Sequence, residues 1–205
     1  MEKNSRVLLI FAGVLVGVLL VVMIMSNPGG GDPNQIYDVD VGMYNGKGFG
    51  DIEIIEFSDF QCPACERIQP VVEEVLEVYG NDVKIYFRNF PLSIHENGFN
   101  SALAGACANE QGKFWEMHDK LYENQNNLDV DSLKSYAVEL ELNSEEFDSC
   151  LDDKKYEQEI LKDLSDGRKA NVKGTPTFYI NGKKVSGVSF ESFRGGIEGE
   201  LGNSE

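Results

Sequence analysis

The chain has 205 residues, with 18 Lys and Arg against 35 Asp and Glu and a formal net charge of −17. That length holds one substantial domain and an appendage. A surface this acidic repels nucleic-acid phosphates and anionic headgroups, so it argues against a nucleic-acid partner and favours solubility.

The appendage comes first. Val7 to Met25 contains no charged residue, and as a helix it would span roughly 28 Å, close to the ~30 Å hydrocarbon core of a bilayer. Lys3 and Arg6 precede it. The expectation is a cytoplasmic tail over 1–6, a transmembrane signal anchor over 7–25, and a single-pass protein whose catalytic domain lies outside the cytoplasm at the cell membrane. A cleaved signal peptide is the alternative. Signal h-regions are usually about 7–15 residues and end in an A-x-A-like site, and Met23-Ile24-Met25-Ser26-Asn27 offers none. Glu2, Lys3 and Arg6 sum to +1, so the exported remainder carries −18.

Residues 26–50 read as a linker with a possible edge strand. Ser26 to Asn34 is rich in Gly, Pro, Asn and Asp, and Val39 to Met43 supplies the strand candidate before the turn-rich Asn45-Gly46-Lys47-Gly48. Ile52 to Phe57 predicts a buried strand from its β-branched content. Cys62-Pro63-Ala64-Cys65 follows and opens a helix bearing Ile68, Val71, Val72, Val75, Leu76 and Tyr79. Pro63 suits the first helical position, whereas Pro70 inside the pattern predicts a kink. Val83 to Phe90 predicts a second strand.

From about 95 to 170 the pattern is helical. One helix carries Ala102, Leu103, Ala106 and Cys107, a second runs from Lys113 to Tyr122, and a third from Asp131 to Leu140. Asn143 with Glu146 marks the start of a fourth, and Tyr156, Ile160, Leu161 and Leu164 lie on the face of a fifth. Thr177 to Ile180 returns to strand, Asn181-Gly182 signals a hairpin, Lys184 to Val188 pairs back, and Ser189 to Leu201 closes the chain as a helix. The order predicts an α/β sandwich over 51–205 interrupted by a helical insertion.

The chemistry concentrates at Cys62 and Cys65. Two cysteines at this spacing, on a turn feeding a helix, interconvert between dithiol and disulfide, and the unpaired N–H groups of a helix N-terminus stabilise a thiolate on the first. A static disulfide or half of a zinc site is the bland alternative. Structural zinc takes about four ligands, and the sequence offers no second CxxC or His pair, so no metal is expected. Cys107 and Cys150 remain, and pairing Cys62 with Cys65 leaves them for each other; two buried free thiols are the alternative.

EFSDFQCPAC, FRNFPL with His95 shortly after, QGKFWEMHDKLY and GTPTFYING together resemble the DsbA-like branch of the thioredoxin superfamily. The resemblance covers Asp51 to about Leu201. It implies a thioredoxin-like fold with a helical insertion domain and an extracytoplasmic thiol–disulfide oxidoreductase activity that needs no cofactor.

On that resemblance Cys62 is the nucleophile and Cys65 the more buried resolving thiol. Pro63 and Ala64 form the active-site turn and tune how strongly the reduced form is favoured. Ala64 lacks the imidazole that strongly oxidising relatives carry there, which implies a milder oxidant. Thr175-Pro176 is implied to be a cis peptide opposite the cysteines, with the Thr175 backbone offering a short edge to which a substrate strand can add. Glu56, six residues before Cys62, is implied to be a buried acid that exchanges a proton with Cys65; a strand carboxylate facing water is the alternative. Phe60, if exposed, would add an apolar contact for unfolded substrates. His95 and His118 are expected to be structural.

The functional expectation is a membrane-anchored oxidase passing its Cys62–Cys65 disulfide to exported cysteine-containing proteins. The resemblance implies a quinone-linked membrane reoxidase of the DsbB or vitamin-K-epoxide-reductase type as partner, and the protein is expected to be a monomer. A reductase or isomerase using the same residues is the nearest alternative, and a non-catalytic client-binding module the more distant one.

Overall fold

The computed structural model describes residues 35–202. The expected cytoplasmic tail, the membrane anchor and the Ser26–Asn34 part of the linker lie outside the described residues. Among those that are described, no helix is long and apolar enough to cross a membrane.

The described residues form a five-stranded sheet ordered β1-β3-β2-β4-β5. The strands are β1 (Lys47–Gly48), β2 (Ile52–Ser58), β3 (Val83–Asn89), β4 (Thr177–Ile180) and β5 (Lys183–Lys184). The helix α1 (Pro63–Tyr79) joins β2 to β3, which pair in parallel from Ile52↔Val83 to Ser58↔Asn89. β4 returns antiparallel on the other side of β2, with Phe57 opposite Thr177. The register brings the end of β2, the end of β3 and the start of β4 to one edge of the sheet, and α1 begins there.

Between β3 and β4 lie α2 (Gly98–Glu110), α3 (Phe114–Glu123), α4 (Val130–Glu139), α5 (Ser144–Asp152) and α6 (Glu157–Lys169). They fill the expected insertion. Asn143 Oδ1 accepts the Glu146 N–H at 3.3 Å, as the spacing predicts for the start of α5. The closing helix α7 (Phe190–Leu201) is capped by Ser189, whose side chain accepts the Ser192 N–H.

Two details differ from the sequence reading. Val39 to Met43 is not a strand; the edge strand is Lys47–Gly48, paired antiparallel with β3. The return strand after the hairpin ends at Lys184 rather than Val188. Helix α1 runs from Pro63 to Tyr79 with Pro70 inside it; the proline removes one helical N–H bond without removing the apolar face that holds the helix down.

Strand alternation divides the core. Ile52 and Ile54 of β2 face Ile68, Val72 and Val75 of α1 and Phe193 and Ile197 of α7. Ile55 and Phe57 point the other way, against Phe90, Leu164 and Tyr179. The insertion packs its own core around Leu103, Met117, Leu121, Leu133 and Phe147, continuous with Phe60, Phe87 and both cysteines of the CxxC. Arg88, fully buried on β3, locks α6 to the sheet. Its Nε donates to Asp163 at 2.6 Å and its Nη2 to Asp166 at 2.9 Å, while Nη1 donates to the Asp40 carbonyl.

Candidate active site

Cys62 is the N-cap of α1 and Pro63 its first helical residue. The Cys62 carbonyl accepts the N–H groups of Cys65 at 2.9 Å and Glu66 at 3.3 Å, which starts the helix directly beneath the sulfur. Both cysteines are free thiols in this structure. Cys62 is 7% exposed and Cys65 fully buried, the asymmetry expected of an attacking and a resolving thiol.

Across from them the Thr175-Pro176 peptide is cis. The Cys62 Sγ lies 3.5 Å from the Thr175 carbonyl oxygen, so residues 113 apart in sequence meet at the sulfur. The register explains the meeting: β4 begins at Thr177 opposite Phe57, which places Thr175 beside the turn that follows β2. The Thr175 hydroxyl is buried, without a hydrogen-bond partner, and near the Cys65 sulfur.

The turn between β2 and α1 is fixed by Asp59, a buried carboxylate that the sequence reading did not single out. Its Oδ1 accepts the Gln61 N–H at 2.8 Å, and its Oδ2 accepts the Leu92 N–H at 2.8 Å. His95 Nδ1 lies 2.6 Å from Oδ2, so His95 acts structurally, joining the segment after β3 to the catalytic turn. A Cβ on Gly98 would lie 2.7 Å from Asp59 Oδ1, so a larger residue there would displace the carboxylate that holds the turn. Gln125, after α3, was also missed. Its Nε2 donates to the Phe60 carbonyl at 2.6 Å and to the Cys62 carbonyl at 3.0 Å.

Phe60 does not face solvent. It is 1% exposed, stacks on Phe87 with ring centroids 4.8 Å apart, and touches His118 and Tyr122. The expected apolar substrate contact is therefore corrected: the Asp59 turn directs Phe60 into the insertion, where it joins the two cores. His118 sits in the same aromatic cluster, its Nδ1 2.7 Å from Asp119 Oδ1, and burial lowers its pKa below the ordinary histidine value.

Glu56 is buried, unlike Glu53, which is exposed on the same strand. Burial pushes its carboxyl pKa up to about 7, against hydrogen bonds from Ser58 and Gln69 that favour the carboxylate. Gln69, one turn beyond Cys65, donates to Glu56 Oε1 at 3.3 Å and to the Cys65 carbonyl at 3.0 Å. The Cys65 thiol is itself pushed well above the ordinary range by burial, although the Ser58 hydroxyl, the Asp59 N–H and the Thr175 hydroxyl all favour its thiolate. A resolving thiol so placed needs a nearby proton acceptor before it can attack, and Glu56 is held beside it.

Away from the site, Cys107 and Cys150 form a disulfide with an S–S distance of 2.05 Å and Cα atoms 5.9 Å apart. It ties α2 to α5. No group of His, Cys, Asp and Glu that could hold a metal occurs among the described residues.

A parallel βαβ unit with a CxxC at the helix tip, faced by a proline loop and interrupted by a helical block, defines a class: thiol–disulfide exchange proteins of thioredoxin fold. The family described as Thioredoxin matches residues 39–199. The chain belongs to this family, in its DsbA-like branch. It is similar to the probable disulfide bond formation protein D of Bacillus cereus, 30% identical over 180 residues that cover 82% of each chain.

Among solved structures, oxidised BdbD from Bacillus subtilis superposes with a TM-score of 0.68, at 23% identity over 78% of this chain and 98% of that one. Wolbachia pipientis α-DsbA1 superposes with a TM-score of 0.67, at 24% identity over 78% of this chain and 93% of that one. At these identities the likeness concerns the fold.

The Na(+)/H(+) antiporter NhaA 3 of Salinispora tropica is 36% identical over 137 residues, 66% of this chain but 21% of the antiporter. The chain thus spans about a fifth of the length of the first curated relatives it matches.

Proposed function

We propose that this protein is a membrane-anchored, extracytoplasmic protein-disulfide oxidoreductase that donates its Cys62–Cys65 disulfide to exported cysteine-containing proteins. The observation that carries the reading is the convergence at Cys62: a nearly covered sulfur at the α1 tip, 3.5 Å from the Thr175 carbonyl, with a buried partner thiol beneath it.

In the oxidised enzyme a client thiolate attacks Cys62 Sγ and the Cys62–Cys65 bond breaks. The bonding pair leaves on Cys65, which takes up a proton. A second client thiolate then attacks the client sulfur of the mixed disulfide and releases Cys62. Two electrons pass from the client to the enzyme dithiol, and the client gains one disulfide. Glu56 is the proton partner of Cys65, and Thr175 presents backbone beside the sulfur where an extended client segment can dock. The uncharged run from Val7 to Met25 supports the anchor. A quinone-linked membrane reoxidase of the DsbB or vitamin-K-epoxide-reductase type would restore the disulfide.

The test is oxidation of a reduced model protein by the oxidised full chain and by Cys62→Ser. Rapid appearance of client disulfides only with the native chain is expected. Equal rates from both proteins would overturn the enzymatic reading in favour of a binding module. Reduction of oxidised client under the same glutathione poise would reverse the direction.

A further inference from the structure

Glu56 lies on β2 and Cys65 in the first turn of α1, and one side chain fastens the two elements together at this point. Gln69 follows Cys65 by four residues, which puts it on the same face of the helix. Its Nε2 has two N–H groups to give and two acceptors: Glu56 Oε1 at 3.3 Å and the Cys65 carbonyl at 3.0 Å. Gln69 also lines a narrow crevice between α1 and α3, with Lys47, Glu73, His118 and Asp119 in its wall. The crevice holds about 10 Å³, room for roughly one water. Glu56 is 1% exposed and is not part of that wall, so Gln69 stands between the acid and the opening. Holding a long amide in one place costs side-chain entropy that a solvent-facing glutamine avoids.

We propose that Gln69 is the positioning residue for the proton step: its amide holds the Glu56 carboxyl against the turn that carries Cys65, and its stem closes the crevice over the acid. The role rests on the reading of Cys62–Cys65 as an exchange site with Glu56 as proton partner. When the reduced enzyme is reoxidised, Cys62 attacks an oxidised partner and forms a mixed disulfide. Cys65 then gives its proton to the Glu56 carboxylate and attacks Cys62 Sγ. The Cys62–Cys65 bond forms as the mixed bond breaks, and the partner leaves as a thiolate.

The two tasks of Gln69 act on Glu56 in opposite directions. The donated N–H favours the carboxylate, whereas the seal preserves the burial that lifts the carboxyl pKa to about 7. Phe87 and Phe178 flank Glu56 in the sheet. The titratable groups facing it are the Cys65 thiol on α1 and the Tyr122 phenol on α3, both pushed upward by burial, so neither ionises near pH 7. His118, across the crevice, is pushed downward by burial and is neutral there.

The experiment is single-turnover reoxidation of the reduced full chain by oxidised glutathione, on both sides of neutral pH, following release of the second glutathione as Cys65 resolves the mixed disulfide. The native rate should rise with pH through a midpoint near 7 as Glu56 ionises, and Glu56→Gln should lose that rise. Gln69→Leu removes the donor and keeps the bulk. Its midpoint should move up by about one unit, which slows the step roughly tenfold on the acid side. Gln69→Ala removes the stem and lets water reach the carboxyl, so its midpoint should move down toward 4.5. Both replacements are good helix formers, which keeps α1 intact.

Midpoints that stay in place in both variants would overturn the role. So would slowing that is uniform across pH, which packing damage alone would produce, or movement of both midpoints in one direction. If oxidised glutathione fails to oxidise the native chain, the exchange reading falls and the role of Gln69 with it. If the native chain reacts with a midpoint that depends on Glu56 and the variants leave it unmoved, only the role of Gln69 falls.

Discussion

The Gln125 amide donates to the Cys62 carbonyl at 3.0 Å, so a side chain from the helical insertion holds the catalytic turn from above. The same nitrogen also binds the Phe60 carbonyl. The insertion is therefore part of the active site rather than a decoration on the thioredoxin core. Replacing Gln125 by Ala removes both bonds from a half-buried position. The expected loss is about 1–2 kcal/mol of stability, read by denaturant unfolding, with faster hydrogen exchange confined to the turn from Asp59 to Cys62. Unchanged exchange in that turn would show that Asp59 holds it unaided.

Glu56 gives a pH dependence with a definite sign. Its carboxyl pKa is pushed from 4.5 to about 7 by burial, so the folded protein prefers the protonated form. Its contribution is fully present below the unfolded pKa and is lost as pH rises through about 7. Glu56→Gln removes that loss. The variant should match the native protein near pH 4 and exceed its stability at pH 8 by up to about 3 kcal/mol, in thermal or denaturant unfolding at the two pH values. A constant difference across the range would exclude Glu56 as the group responsible. The same variant should slow the exchange steps that protonate or deprotonate Cys65.

Ala64 carries a prediction about the poise of the disulfide. It offers no charge and no side-chain donor to the turn, so the reduced form lacks the support an imidazolium would give a thiolate at the helix tip. The potential against glutathione should lie below the about −120 mV typical of DsbA. Ala64→His should move it upward. A native potential already at the DsbA value would rule out this role for the position.

The second disulfide closes a loop of 43 residues between α2 and α5. The chain-entropy relation values such a closure at about 4 kcal/mol. Replacing both Cys107 and Cys150 by Ala should lower the denaturation midpoint by a corresponding amount while Cys62 continues to exchange. Loss of exchange in a folded double variant would assign this bridge a redox part as well.

The α/β order, the insertion and the two cysteines were legible because each rests on local pattern. Ile52 to Phe57 reads as a strand from its β-branched content, Cys62-Pro63 opens a helix, and Asn143 caps one. The errors fell where local pattern carries little weight. Val39 to Met43 is apolar in alternation yet packs as a loop against the outer face of the sheet, because β3 offers its edge to Lys47–Gly48 instead. Phe60 beside an active-site turn reads as a surface aromatic, and the turn sends it inward. Asp59, Gln69 and Gln125 carry no motif, since a single carboxylate or amide acquires a role only from the backbone groups brought to it.

The order of residues by itself determined that a dithiol pair would sit at a helix N-terminus, since Pro63 and the apolar spacing beyond it place the cysteines there whatever surrounds them. Only the tertiary structure decided that Glu56 is sealed beside Cys65 while Glu53 faces water, that Thr175 meets Cys62, and that Cys107 bonds to Cys150. Those depend on strand register and on the packing of the insertion, which set burial and distance between residues far apart in the chain, and burial and distance fix where the protons and electrons can go.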